Sequence, residues 1–204
     1  MLHTGLIILA GGSSSRLGAP KQLLQFKGRS LLRHAAETAL ASICRPVVVV
    51  LGSCAQALES ELYGLGVIIA KNDEWASGMG SSIRVGMHHL MSNDSERTLD
   101  SVVLMVCDQP LIRGDDINRL CAIRMETGRG IVSSFYGGAA GVPALFSSNY
   151  FPELETVDPS QGARLIIAKH IQDSHSVPLS EAVFDVDTYN DYQKIIEKSE
   201  SPAG

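Results

Sequence analysis

The chain has 204 residues, 45% of them hydrophobic and 19% charged, and this composition is ordinary for a globular domain. Its length suits a single domain of residues 1–198, followed by a disordered tail at 199–204. The net charge of −5 argues against nonspecific binding to nucleic acid, and no apolar run approaches the roughly 18 residues of a membrane span. The N-terminus has no basic region followed by a long apolar stretch, so we expect a cytoplasmic protein. The four scattered cysteines form no CxxC pair, so we expect neither a zinc site nor a disulfide framework.

Short apolar runs alternate with longer amphipathic stretches up to about residue 134. Residues 6–10 form the first predicted strand, and the five consecutive aliphatic residues 47–51 indicate a strand buried on both faces. Further strands are predicted at 67–70, 102–106 and 130–134, and helices at 30–42, 55–63, 82–91 and 115–127. The alternation predicts a three-layer α/β fold, in which a mostly parallel central sheet carries helices on both faces.

The pattern is looser after residue 135. The segment YGGAAGVPALF at 136–146 combines glycines and a proline with a short strand. Helices are predicted at 148–155, 162–170 and 189–198, and a last strand is predicted in VFDVDT at 183–188. Ligands of parallel sheets bind beyond the carboxyl ends of the strands, so we expect the site in the loops that follow residues 10, 70, 106 and 134.

The loop LAGGSSSRLGAPK at 9–21 follows the first strand and indicates an anion site. Glycines let backbone N–H groups approach a ligand, and successive N–H groups can cradle phosphates. Arg16 adds a planar guanidinium group and Lys21 a point charge, both suited to phosphate oxygens. Because Gln22 follows Lys21, the loop is not a Walker A motif, and it lacks the GxGxxG spacing of a dinucleotide site. A merely flexible glycine-serine loop remains an alternative.

Aspartates stand near the ends of two predicted strands. Asp108 follows the strand 102–106, and Asp185 and Asp187 belong to the predicted strand 183–188, with Asp187 at its end. Magnesium prefers one or two carboxylates together with substrate phosphates and water, so Asp108 and Asp187 are candidate Mg²⁺ ligands. Either residue could instead cap a helix.

The segment NDEWASGMGSSIRVG at 72–86 follows the third predicted strand and leads into a helix that starts with Gly-Ser-Ser. Free N–H groups and two hydroxyl groups at such a start could contact a base or a ribose. Ordinary capping by Ser81 is the alternative, and Trp75 could be a hydrophobic plug.

Taken together, these loops resemble the molybdenum-cofactor nucleotidyltransferases. The matching pattern runs from residue 6 to residue 192 and consists of LAGGxSxRxGxxK, NxxWxxGMxxSIRxG, DxP, GxPALF, GAR and DxDTxxDY. The resemblance implies a Rossmann-like nucleotidyltransferase fold and a single NTP transferase domain. It also implies a Mg²⁺-dependent enzyme that moves a nucleoside monophosphate from CTP or GTP to an anionic acceptor and releases pyrophosphate.

The resemblance also assigns roles to individual residues. Arg16, Lys21 and Asp108 would be catalytic, and Asp108 and Asp187 would bind Mg²⁺. The loop 137–143 would face the acceptor. The implied nucleotide-binding residues are Leu9, Ala10, Gly11, Gly12, Arg16, Lys21, Gly80, Ser81, Ser82 and Asp108.

The acceptor implied by the resemblance is molybdopterin or molybdenum cofactor, and a molybdenum enzyme would be a partner. Val142 stands where many relatives have histidine, and Ser160-Gln161 precedes the GAR segment where they often have Gly-Asp. The first loop resembles guanylyl-transferring members and GMGSSIR resembles cytidylyl-transferring ones, and we favour cytidine. Alternatives are a transferase for a sugar or alcohol phosphate, and a non-catalytic nucleotide-binding assembly factor for a molybdenum enzyme.

Overall fold

The computed structural model describes residues 2–12, 17–94 and 98–200. Nine strands occur in this part of the chain: β1 (Thr4–Ala10), β2 (Gln25–Phe26), β3 (Arg29–Ser30), β4 (Val47–Leu51), β5 (Ile68–Lys71), β6 (Ser101–Val106), β7 (Ile131–Tyr136), β8 (Ala139–Ser147) and β9 (Ser174–Pro178). The α-helices in the same part are α1 (Leu31–Ala41), α2 (Ala55–Leu58), α3 (Met79–Ser92), α4 (Gly114–Thr127), α5 (Phe151–Thr156), α6 (Ala163–Lys169) and α7 (Tyr189–Glu200).

Seven of these strands form one central sheet in the order β5-β4-β1-β6-β8-β7-β9. β1 pairs in parallel with β4 and β6, β4 with β5, and β7 with β9. Only β8 runs antiparallel to its neighbours, β6 and β7, within the described sheet. The prediction of a mostly parallel α/β sheet is therefore confirmed.

Helices cover both faces of the sheet, which confirms the three layers. Alternate side chains of β1 point to opposite faces, so Leu6 and Ile8 pack in the layer that holds α1 and α4, while Ile7 and Leu9 pack in the layer of α3, α5 and α6. Gly86 lets α3 lie close to the sheet, because a Cβ atom there would stand 2.6 Å from Ile7 Cγ2.

A third, smaller core docks the C-terminal part of the chain beside the end of β6. It consists of Phe26, Leu31, Val186 and Ile195, all almost completely buried. The Val186 N–H donates a hydrogen bond to the carbonyl oxygen of Asp108 at 3.0 Å. This packing places Asp187 next to Asp108, although the two residues are far apart in sequence.

Most predicted elements are present with shifted ends, but the C-terminal region needs correction. The predicted strand at 183–188 is wrong, because residues 180–183 form a 3-10 turn and 184–188 pair with no strand of the described chain. The parallel edge strand is instead β9, which was not predicted. The predicted helix at 55–63 is α2 followed by a 3-10 turn, Glu59–Leu62. The last helix continues to Glu200, and residues 201–204 lie outside the described range.

None of the helices in the described ranges combines the length and the apolar character needed to cross a bilayer.

Candidate active site

A cavity of about 340 Å³ opens at the carboxyl ends of β1 and β6. Seven residues assigned to the site from the sequence line it: Leu9, Ala10, Gly11, Gly12, Lys21, Ser82 and Asp108. The segment before α3 contributes Trp75, Ala76 and Gly78 to the lining. The loops after β1, β5 and β6 therefore meet at one end of the sheet, as the parallel-sheet rule predicts. Arg16, the other predicted cation of the loop, lies outside the described residues.

Gln22 holds the glycine loop in position. Its side chain is almost completely buried, and Nε2 donates hydrogen bonds to the carbonyl oxygens of Ala10 at 3.0 Å and Gly12 at 2.9 Å. Gly11 is required by close packing, because a Cβ atom there would stand 2.9 Å from Ser82 Oγ. In the sequence, Gln22 served only to exclude a Walker A motif. Its structural role was not predicted, because the sequence does not show that its amide is buried against the carbonyl groups of the loop.

Asn72 is a second buried amide that shapes the site. Its Nδ2 donates to Ser81 Oγ at 2.8 Å and to Ser82 Oγ at 2.9 Å. Ser81 Oγ in turn donates to the Gly78 carbonyl at 2.7 Å, so this hydroxyl closes the turn before α3 and does not line the cavity. Ser82 is the hydroxyl that faces the cavity.

Gly80 also lies behind the cavity wall. Its N–H donates to the Pro159 carbonyl at 2.9 Å, and a Cβ atom there would stand 2.0 Å from the Asp158 carbonyl oxygen. Gly80 and Ser81, which the resemblance places at the nucleotide, thus support the wall from behind and join α3 to the segment 158–161.

Lys21 lies between the two candidate metal ligands. Its Nζ donates to Asp108 Oδ2 at 2.5 Å and to Asp187 Oδ1 at 3.0 Å. The side chains of Lys21 and Asp108 are 14% and 17% exposed, whereas Asp187 is 38% exposed. Burial of Lys21 opposes its charge, but attraction to Asp108 and Asp187 outweighs burial and raises the pKa of Lys21 above 10.5. Lys21 is therefore a charged ammonium at neutral pH.

Neither carboxylate caps a helix. α7 is capped by Thr188, whose Oγ1 accepts from the Asp191 N–H at 3.2 Å while Asp191 Oδ2 accepts from the Thr188 N–H at 2.9 Å. α4 begins only at Gly114, well beyond Asp108. Thr188 and not Asp187 is therefore the N-cap of α7, and Asp108 lies several residues before α4.

A second cavity of about 520 Å³ adjoins the first. The two share Lys21 and Asp108 in their linings, and Asp187 lines the second. Its lining also contains Gln109, Tyr136, Val142, Ser160, Gly162, Ala163, Arg164 and Asp185. Burial, reinforced by the charge of Asp108, raises the pKa of Asp185 above 3.8. The ammonium and its carboxylates thus stand where two cavities meet, which suits a reaction between two substrates.

Comparison with known proteins decides the family. Residues 6–175 match the model of the MobA-like NTP transferase domain. The chain belongs to this family of nucleotidyltransferases. The resemblance found in the sequence and the predicted fold are both confirmed.

Two relatives of this MobA-like NTP transferase match most of its length. Nicotine blue oxidoreductase of Paenarthrobacter nicotinovorans is 33% identical over 170 residues, 79% of each chain. Purine catabolism protein PucB of Bacillus subtilis is 29% identical over 168 residues, which are 79% of this chain and 78% of PucB.

Solved structures share the complete fold. Rv0371c of Mycobacterium tuberculosis superposes with a TM-score of 0.79 at 26% identity, covering 97% of this chain and 99% of its own. A second structure of Rv0371c, described as a complex with manganese, gives a TM-score of 0.73 at 24% identity, with the same two coverages. Molybdopterin-guanine dinucleotide biosynthesis protein A of Archaeoglobus fulgidus gives 0.70 at 18% identity over 96% of this chain and 98% of that one, which shows a shared fold.

The carboxylates of this MobA-like NTP transferase fit a divalent cation bound together with phosphates. Asp108 Oδ1 is buried and accepts no hydrogen bond from any described residue, so it is available to a metal. Among the residues described, no group of three or more His, Cys, Asp or Glu side chains could hold a metal. The protein would supply two carboxylates, and phosphate oxygens and water the remaining ligands, which is how Mg²⁺ is commonly bound.

Proposed function

We propose that this protein transfers a nucleoside monophosphate from an NTP, with CTP favoured, to an anionic acceptor and releases pyrophosphate. The observation that carries the proposal is the position of Lys21, Asp108 and Asp187 at the junction of two cavities. The first cavity is lined by the glycine loop and would hold the NTP. The second would hold the acceptor, so that both substrates reach the same charged group.

The chain's own residues align the substrates and neutralise charge. The backbone of Gly11 and Gly12 would face the phosphates, because Gln22 holds this loop against the end of β1. Ser82 Oγ, which lies beside Gly11 in the same lining, would also contact the nucleotide. Lys21 would donate to the triphosphate, because its side chain also lines the first cavity. Holding the reacting groups in line contributes about 7–11 kcal/mol in well-ordered cases.

Asp108 and Asp187 are the proposed ligands of the metal, and we infer Mg²⁺ as the physiological ion. Bound there, the ion would neutralise the charge that develops on the phosphates during transfer. Because an anionic acceptor is already a nucleophile, no Ser-His-Asp arrangement is required. Arg16 remains a proposed phosphate-binding residue on the strength of the sequence pattern alone.

Molybdopterin or molybdenum cofactor is the proposed acceptor, a molybdenum enzyme the proposed partner, and the cytoplasm the proposed location. This part of the proposal rests on the family resemblance and on the motifs that the chain retains. The names of the two relatives give further candidates, an oxidoreductase and a protein of purine catabolism. A non-catalytic nucleotide-binding assembly factor could have the same fold, because fold does not determine function.

A panel of reactions tests the proposal. Purified protein with Mg²⁺ is supplied with CTP, GTP, ATP or UTP and with molybdenum cofactor, a sugar phosphate or an alcohol phosphate, and pyrophosphate is measured. We expect pyrophosphate with CTP and molybdenum cofactor, and none from the Asp108→Asn variant. Tight NTP binding without pyrophosphate from any combination would favour the assembly factor. Reduction of nicotine blue without any nucleotidyl transfer would favour the oxidoreductase.

A further inference from the structure

The second cavity has one cationic side chain besides Lys21 among the residues described, and this is Arg164. Arg164 is exposed, and within the described part of the chain no carboxylate forms an ion pair with its guanidinium group. By contrast, Lys21 already contacts two carboxylates in the same cavity. Arg164 is thus a fixed positive charge that faces the proposed acceptor cavity.

Tyr136 serves as a platform for Arg164. The Cζ atom of Arg164 lies 5.7 Å from the centroid of the Tyr136 ring, within the range of a cation–π contact. Nη2 of Arg164 is 3.5 Å from Tyr136 Oη. Gly141 makes this stacking possible, because a Cβ atom there would stand 2.7 Å from Tyr136 Oη and 3.2 Å from Arg164 Nε.

A hydrogen bond connects Tyr136 to Gln109, the residue that follows Asp108 at the proposed reaction centre. Tyr136 Oη donates to the Val142 carbonyl at 2.9 Å and accepts from Gln109 Nε2 at 3.3 Å. Gln109 is buried, directly follows Asp108 in the chain, and also donates to the Ala182 carbonyl at 2.7 Å. Because these hydrogen bonds fix the Tyr136 ring at its hydroxyl, the Arg164 guanidinium group that lies over the ring has fewer available orientations.

A stacked guanidinium has a specific binding preference. Its planar fork matches the two oxygens of a phosphate or a carboxylate, and stacking reduces the side-chain entropy lost on binding. The lining of the same cavity also contains Asp108, Asp185 and Asp187, and carboxylates repel an anion. Because no carboxylate of the described chain pairs with Arg164, an anionic group in this cavity is drawn to Arg164.

We propose that Arg164, held on the ring of Tyr136, binds the oxyanion of the acceptor in the second cavity. The inference rests on the proposed function, because it assumes that this cavity receives the acceptor. The shared chemistry of the ligand is an oxyanion with two forked oxygens, from a phosphate ester or a carboxylate.

Calorimetric titration with inorganic phosphate, and separately with acetate, tests the proposal. The intact protein is first saturated with Mg²⁺ and a CTP analogue whose α,β-bridge is a methylene group, so that the first cavity is filled. The variants are Arg164→Gln, which removes the charge, and Arg164→Lys, which keeps the charge without the fork. Arg119→Gln is the matched control, since Arg119 is an exposed arginine that lines a neighbouring cavity. Melting temperatures confirm that each variant is folded.

We expect Arg164→Gln to weaken binding of phosphate, acetate or both by about tenfold or more, as loss of a charged hydrogen bond predicts. Arg164→Lys should lose part of the affinity, and Arg119→Gln none. The affinity for the analogue should be equal in all variants. Oxyanion binding that is absent from the wild type, unchanged in Arg164→Gln, or weakened equally in Arg119→Gln would overturn the proposal. If the CTP analogue does not bind, the proposed function is contradicted instead. The affinities for phosphate and acetate are then compared between the wild type and the Arg164 variants without the analogue.

Discussion

Replacing Lys21 by methionine tests whether its ammonium group holds the two carboxylates of the site together. Methionine keeps most of the length and the apolar stem but removes the charge and the donors. The variant leaves Asp108 and Asp187 without the cation that now lies 2.5 Å and 3.0 Å from their oxygens. We therefore expect a less stable protein in the absence of metal.

The size of the loss follows from the burial of each partner. The contact with Asp108 is mostly buried and should contribute about 1.5–3 kcal/mol, as a hydrogen bond between charged groups does. Asp187 is 38% exposed, so solvent screens the second contact and reduces it to about 0–1 kcal/mol. A total of about 1.5–4 kcal/mol lowers the melting temperature of a domain of this size by about 3–16 °C.

A divalent cation should reverse this loss. In the wild type the ammonium competes with a cation for the same oxygens, so Lys21→Met should bind Mn²⁺ more tightly when no nucleotide is present. The same variant should bind CTP about 10- to 100-fold more weakly, because the triphosphate loses a charged donor. Thermal melts in EDTA and in MnCl₂, together with a Mn²⁺ titration followed by electron paramagnetic resonance, measure these effects.

Lys169→Met is the control, because Lys169 pairs with Glu153 at an exposed position and should contribute no more than about 1 kcal/mol. If Lys21→Met melts like Lys169→Met and binds Mn²⁺ no more tightly than the wild type, Lys21 does not bridge the carboxylates. The two carboxylates would then not be stabilised by the Lys21 ammonium group.

Three further predictions concern the metal, the glycine loop and acid stability. Asp108→Asn should lower turnover by about 100- to 1000-fold, measured as pyrophosphate release, while circular dichroism shows an unchanged fold. Gly11→Ala should cost about 1–3 kcal/mol in urea unfolding because its Cβ would crowd Ser82 Oγ, whereas Gly12→Ala, with no atom of the described residues within 4 Å of the added Cβ, should cost less than about 0.5 kcal/mol; equal losses would contradict the packing of the loop. A backbone N–H and a tyrosine hydroxyl lower the pKa of Asp173 below 3.8, so its contribution is present above pH 3.8 and is lost as pH falls through its folded pKa. Asp173→Asn should therefore be less stable than the wild type at pH 7, and a difference that does not shrink in acid would contradict this reasoning.

The sequence predicted the parts of the fold whose burial leaves a strong pattern. Residues 47–51 and 102–106 are continuous aliphatic runs because both faces of β4 and β6 are covered by helices. β9 was missed because it is an edge strand, SHSVP, in which only Val177 is fully buried. Apolar and acidic residues alternate in VFDVDT as they do in a strand. The alternation arises because Val186 packs in the third core while Asp185 and Asp187 line the second cavity.

The candidate site was predictable where side-chain chemistry is visible in the sequence. The glycine loop, Lys21 and Asp108 meet at the strand ends because a parallel sheet brings those ends together. Gln22 and Asn72 were not predicted as structural residues, because a buried amide gains its role only from the carbonyl and hydroxyl groups that folding places around it. The same limit explains why Ser81 resembled a ligand contact although its hydroxyl closes a turn.

We have proposed that Asp108 and Asp187 hold a divalent cation beside the glycine loop while a nucleotide occupies the first cavity. Crystals grown with Mn²⁺ and the methylene analogue of CTP would test it by anomalous diffraction at the manganese edge. We expect an anomalous peak within coordination distance, about 2.0–2.6 Å, of carboxylate oxygens of both aspartates and of phosphate oxygens of the analogue. A peak elsewhere, with Lys21 still bound between the two carboxylates and the phosphates outside the first cavity, would contradict it.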